Sequence, residues 1–192
     1  MVLRANLPLR VKLEACFHLT NNFAYLFLVA LACLQLPNML LRHKIDNPQL
    51  LLLDVPLFLA TSGSIIIFYL STHHFLYRNV WDAAKRLPLM MALGIGLSIN
   101  NAQAVLEGLF TNDAEFVRTA KHGITLKSDN WKKRKYKART NIGTIVELMF
   151  SAYFVFTIGI AAYIGAWSSI PFLVLFLAGF LYVGLLSLYQ AR

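Results

Sequence analysis

Apolar residues in this chain gather into runs longer than a soluble helix needs. A helix crossing the hydrocarbon of a bilayer takes about 20 mostly apolar residues. Four stretches meet that length: residues 19–41, 50–72, 142–164 and 169–189. A fifth, 87–110, is mixed. It opens "LPLMMALGIGLSI" and continues "NNAQAVLEGLF". At 3.6 residues per turn, Asn100, Gln103 and Glu107 share one face, and Ile99, Ala102, Leu106 and Leu109 lie roughly opposite. That pattern suits a helix lying in the membrane interface. Gly94, Ser98 and Ala102 add a ridge of small residues on which a neighbouring helix can pack closely.

Two shorter segments have the same style. In residues 1–18, Pro8 suits a first helical turn. Arg10, Glu14 and His18 then align on one side, with Leu9, Leu13, Cys16 and Phe17 on the other. Residues 75–86, "FLYRNVWDAAKR", offer Tyr77 and Trp81 as anchors at headgroup level.

Composition agrees with a bilayer protein. The chain is 58% hydrophobic and 14% charged, with mean hydropathy +0.58, whereas soluble domains are about half apolar and about a quarter charged. The 18 Lys and Arg exceed the 9 Asp and Glu, and their distribution bears on the fifth segment. Three precede residue 19, two lie in 42–49, three in 73–86, nine in 111–141 and one at the C-terminus. If 87–110 crosses, the best division between faces is 12 against 6; if it does not, the division is 16 against 2. The positive-inside rule favours the second. Crossing would also carry Asn100, Asn101, Gln103 and Glu107 into hydrocarbon, and one carboxylate at depth costs about 2.5–3.5 kcal/mol on an insertion scale.

The expected fold is therefore an all-α membrane protein in a single membrane domain, residues 1–192. It has four transmembrane helices and two or three amphipathic interfacial helices, over 1–18 and 73–110. Residues 111–141 form a basic cytosolic loop, and both termini are cytoplasmic in an inner or plasma membrane.

Candidate chemistry is sparse. There is no phosphate-cradling Gly-rich loop, no Asp-x-Asp pair for a metal and no nucleophile elbow, so neither catalytic residues nor a metal site is expected. His73 and His74 are adjacent, and neighbours on a helix diverge by about 100°, which makes them polar caps rather than a ligand pair. Cys16 and Cys33 lie in apolar runs and read as small buried side chains. No cleavable signal peptide is expected. Asp54 and Glu147 fall inside expected spans near an end, where an ionisable residue is a functional candidate by default; Glu147 is the candidate for lining a path through the membrane. "WKKRKYKAR", residues 131–139, runs directly into a span. Anionic headgroups are its expected partner, at about 1 kcal/mol per cation, and no nucleic acid is expected. In "EFVRTAKHG", residues 115–123, Arg118, Thr119 and Lys121 supply the donors that a diphosphate requires. By composition alone the stretch also fits a solvated basic linker.

Three strings in order, "LPLRVKLEACFHLTNNFAY", "LPLMMALGIGLSINNAQAVLEGL" and "EFVRTAKHG", resemble the C-terminal membrane region of family 2 glycosyltransferases. The closest group is the cellulose-synthase-like and mannan-synthase-like enzymes. The resemblance covers almost the whole chain. It implies that the loop is a gating loop, with a pattern similar to F-x-V-T-x-K, that closes over the diphosphate of a nucleotide-sugar. Phe116, Thr119 and Lys121 fit that pattern; Arg118 replaces its Val, and Ala120 stands where many relatives have Pro.

The resemblance further implies polysaccharide synthesis, with sugar transferred from the nucleotide-sugar to a glycan or lipid acceptor. It implies a catalytic domain that carries metal-binding aspartates, with Mg²⁺ or Mn²⁺, and a Q-x-x-R-W motif. None of these motifs occurs in residues 1–192. The chain is accordingly expected to be a fragment, the second half of a split gene, or a sequence with a misplaced start. Its catalytic domain would be supplied in cis or in trans. The other class of function left open is a stand-alone small membrane subunit, scaffold or transporter.

Overall fold

The computed structural model describes residues 5–45, 50–110 and 142–190, and every regular element in them is helical. The helices are α1 (Leu9–Asn21), α2 (Phe23–Ile45), α3 (Leu50–Tyr77), α4 (Val80–Gly96), α5 (Ser98–Phe110), α6 (Ile142–Tyr163) and α7 (Ile170–Gln190). A 3-10 turn at Trp167–Ser169 leads into α7. The third and fourth expected spans are matched to within a residue at each end by α6 and α7.

Local sequence explains the breaks. Between α3 and α4 the chain reverses through Arg78, whose φ is 54°. Asn79 then caps α4: its side chain accepts from Trp81 N–H at 3.1 Å and Asp82 N–H at 3.4 Å, and its amide donates to Asp82 Oδ2 at 2.9 Å. An N-cap of this type satisfies donors that the first helical turn leaves orphaned. After α6, Gly165 takes φ 75°. Ala166 N–H returns to Ala161 O at 2.8 Å, the bond pattern that closes a helix at a left-handed glycine.

Prolines sit inside α2, α3 and α4, at Pro37, Pro56 and Pro88. Proline removes an N–H, so in α2 the carbonyl of Cys33, four residues before Pro37, loses its helical donor. Tyr153 of α6 replaces it. Its hydroxyl donates to Cys33 O at 2.9 Å and accepts from Leu36 N–H at 3.1 Å. Supplying a freed backbone group from a neighbouring helix is what makes a proline tolerable in hydrocarbon.

The core centres on α6 and α7, joined as a hairpin, and takes in Ala32 and Met39 of α2, Ile95 of α4 and Ile99 of α5. Phe154 and Phe180 are fully buried. Phe150 stacks on Phe180 and Phe154 on Phe176, each at 5.0 Å between ring centroids. Such pairs contribute about 0.5–1.5 kcal/mol beyond area burial. Along α6 the buried positions, Gly143, Thr144, Glu147, Ser151, Phe154, Thr157 and Ala161, follow the helical period. Ile145, Met149, Val155 and Phe156 face outward and are exposed. Outward apolar and inward polar is the arrangement that lipid as a solvent favours.

On the other side of α7 lies α4. Ala92 and Gly96 meet Gly179 so closely that a Cβ added at Gly96 or Gly179 would collide with the facing backbone. The close approach uses Ala92 and Gly96 rather than the expected Gly94, which has open space beside it; Ser98 and Ala102 of the expected ridge are buried. Gly179 is near the midpoint of α7, so this half of residues 87–110 packs deep along another helix.

Among the described residues, four segments are long and apolar enough to cross a membrane: Leu9–Ile45, Val80–Phe110, Ile142–Tyr163 and Trp167–Gln190. The architecture is that of an integral multi-pass membrane protein. Two smaller expectations change. Cys33 is exposed on the outside of α2 and Cys16 is half-buried, both as free thiols, so neither is a core side chain.

Candidate functional site

The described polar centre lies where the first turn of α5, the second turn of α6 and the last turn of α7 meet. Glu147, in the second turn of α6, is completely buried. Asn100 of α5 donates its amide to Glu147 Oε1 at 3.2 Å. Glu147 Oε2 makes no hydrogen bond, although Ser187 of α7 stands beside the carboxylate. Gly143, one turn earlier on α6, leaves room for the polar face of α5: a Cβ there would come within 3.2 Å of Asn100 Oδ1 and 3.7 Å of Gln103 Oε1. Gly184 does the same on α7, where a Cβ would lie 3.3 Å from Glu147 Cβ.

The face shared by Asn100, Gln103 and Glu107 is therefore divided. Asn100 turns to the buried carboxylate. Gln103 borders Gly143 and also donates to Glu107 Oε1 at 2.8 Å on the exposed side of α5. Two further polar side chains of α6 bond back to their own helix: Ser151 Oγ to Glu147 O at 2.9 Å and Thr157 Oγ1 to Tyr153 O at 2.8 Å.

Among the described residues, Glu147 borders neither of two cavities in the bundle. One, about 660 Å³, is walled by α2, α3, α4 and α7; the other, about 400 Å³, lies between the start of α2 and α5. The carboxylate is held in a helix contact, and its chemistry there is to accept hydrogen bonds.

The remaining sequence candidates are placed as follows. Phe116, Arg118, Thr119 and Lys121 lie outside the described residues, as do residues 131–139 and the Asp54 side chain. His73 packs on Tyr77, with ring centroids 4.9 Å apart, while His74 lies 6.3 Å from Phe75, so the pair is not convergent. Among the described residues no three His, Cys, Asp or Glu gather to hold a metal ion.

Sequence reasoning missed Asn100 as the partner of Glu147, and it missed Tyr153 altogether. The first had a visible signal: Thr144, Glu147 and Ser151 recur at helical spacing on one side of an otherwise apolar run and need a polar neighbour. Compared with models of known families, with curated proteins and with solved structures, the chain matches none.

Proposed function

We propose that this chain is the membrane-embedded C-terminal part of a family 2 glycosyltransferase. In this reading Phe116, Arg118, Thr119 and Lys121 receive the diphosphate of a nucleotide-sugar at a catalytic domain supplied in cis or in trans. The single observation that carries it is the tie between Asn100 and Glu147. It fastens α5, which leads into residues 111–141, to α6, which leads out of them. A cation-bearing loop that must close over a charged donor benefits from a fixed base, because positioning is where much of a transfer reaction's rate enhancement originates.

The chemistry divides accordingly. Arg118 and Lys121 offer charge-assisted donors to a leaving diphosphate. The base for the acceptor hydroxyl and the carboxylates for Mg²⁺ or Mn²⁺ belong to the catalytic domain. The acceptor is a glycan or a lipid, and the basic stretch 131–139 rests on anionic headgroups.

The placement that charge alone selects has four crossings, with α4 and α5 at the cytoplasmic face together with both termini. The charge division of 16 to 2 supports it. Leu87 and Met90 of α4, in contrast, lie beside Phe172 at the opposite end of α7 from Ser187. The contact of α4 with the middle of α7, and the length of Val80–Phe110, favour a fifth crossing. Both arrangements leave 111–141 on the cation-rich face.

A photoreactive nucleotide-sugar tests the donor site. With the catalytic domain present, label is expected within residues 111–141 and is displaced by the free nucleoside diphosphate. Label confined to the catalytic domain refutes the assignment.

A further inference from the structure

We infer that the 660 Å³ cavity between α2, α3, α4 and α7 is a binding site for a hydrocarbon chain of a bilayer lipid. Its size falls in the range of about 300–1,000 Å³ typical of small-molecule sites. The wall is built from Leu87, Met90 and Met91 of α4, Ile65 of α3, and Phe172 and Phe176 of α7. Among the described residues no charged side chain lines it; the polar groups are Tyr25, Gln35, Ser62, Tyr69 and Ser169.

Three physical points select the occupant. Eleven of its sixteen lining residues are apolar, so most of the space lacks the two to four polar partners that a water needs. Left empty, it forfeits the dispersion contacts of its whole lining. A sugar chain is a poor filler, since its many hydroxyls would face a wall with few hydrogen-bonding groups and remain unpaired. The helices around the cavity belong to a membrane bundle and the cavity is not closed, so lipid chains are the hydrocarbon at hand. The two methionines suit a flexible guest, since their unbranched side chains adapt to irregular shapes. The inference concerns a different part of the bundle from the donor loop and stands whether or not the glycosyltransferase reading does.

Gly94 supplies the test. It lines the cavity, and a Cβ there meets no atom within 4 Å, so Gly94→Phe brings a ring to the cavity from an unhindered Cβ. Gly159 on α6 is also open but lies away from the cavity, and Gly159→Phe is the control. The full chain is purified in detergent and given a trace of phosphatidylcholine carrying a diazirine on one acyl chain. It is then irradiated, and the adducts are mapped by mass spectrometry.

Adducts are expected to concentrate on Leu87, Met90, Met91, Phe172 and Phe176. They should fall severalfold in Gly94→Phe and be unchanged in Gly159→Phe, and oleate should displace the probe whereas a soluble oligosaccharide should not. Equal labelling of the outward residues Val155 and Phe156 in the wild-type chain overturns the inference, whatever the variants do. Displacement by the oligosaccharide alone overturns it in favour of a sugar path.

Discussion

Asn100 and Glu147, 47 positions apart, are joined by a 3.2 Å hydrogen bond across the contact of α5 with α6. Glu147 is the buried carboxylate of a polar stripe on α6, and Asn100, exposed in the first turn of α5, reaches it across the contact. A carboxylate fully enclosed by protein is strongly destabilising when its partner is removed, because the group left behind keeps its desolvation cost. In membranes such polar contacts average about 0.6 kcal/mol and reach about 1.7. A double-mutant cycle of Asn100→Ala and Glu147→Ala, read by thermal unfolding in detergent, is expected to give a coupling in that range. Glu147→Gln keeps an acceptor for Asn100 and should retain most of the stability. Strict additivity of the two alanine substitutions would remove the tie from the account.

Tyr153 permits a cleaner cycle, because proline fixes which backbone group is orphaned. Tyr153→Phe leaves the Cys33 carbonyl without a donor, at a cost of about 1–3 kcal/mol. In a Pro37→Ala background the new N–H at position 37 can bond to that carbonyl within α2, and the same Tyr153→Phe change should cost distinctly less. An equal cost in both backgrounds would mean that Tyr153 acts by packing alone.

The α4–α7 contact is expected to be intolerant of even one methyl group. Gly179→Ala places a carbon against the backbone of Ala92, and helices in close backbone contact must separate to admit it. Overpacking of this kind costs about 1–3 kcal/mol. Gly159→Ala, which meets nothing within 4 Å, should leave the unfolding temperature unchanged.

These three sites show how far the residues alone carried the reading. The helical membrane architecture was legible, because apolar runs of about 20 residues are local properties; the break at Asn79 was not, and it divides residues 75–86, expected as one surface segment, between α3 and α4. The tie of Glu147 to Asn100 was half legible. The polar stripe on α6 announced a need for a partner, but its choice depends on how α5 crosses α6, which no local pattern encodes. Tyr153 was illegible for the same reason: Pro37 marks the Cys33 carbonyl as orphaned, but which side chain reaches it depends on how α2 meets α6. The close contact fell on Ala92 and Gly96 rather than Gly94 because small residues recur on more than one side of α4. Only packing chooses between those sides.

Sidedness is measured with single cysteines in a background lacking Cys16 and Cys33, placed at Asn79 and Asn130. The four-crossing arrangement expects both to be shielded from an impermeant thiol reagent added outside intact cells. Reaction at one and protection at the other would show that Val80–Phe110 crosses, as its length and its contact with the middle of α7 allow.

Sugar transfer is the most direct measurement of the central claim. The chain, joined to or combined with a family 2 catalytic domain that depends on it, is supplied with its nucleotide-sugar, Mg²⁺ or Mn²⁺ and acceptor. Turnover is compared for the unaltered loop, Thr119→Ala, Lys121→Ala and the double variant, with equal membrane insertion verified in each. Losing one charge-assisted contact costs about 1.5–3 kcal/mol. A drop of roughly tenfold or more is therefore expected for Lys121→Ala, and a larger one for the pair. The chain by itself is expected to transfer no sugar. Full activity in the double variant would reduce residues 115–123 to a linker and contradict the assignment of the loop to a nucleotide-sugar.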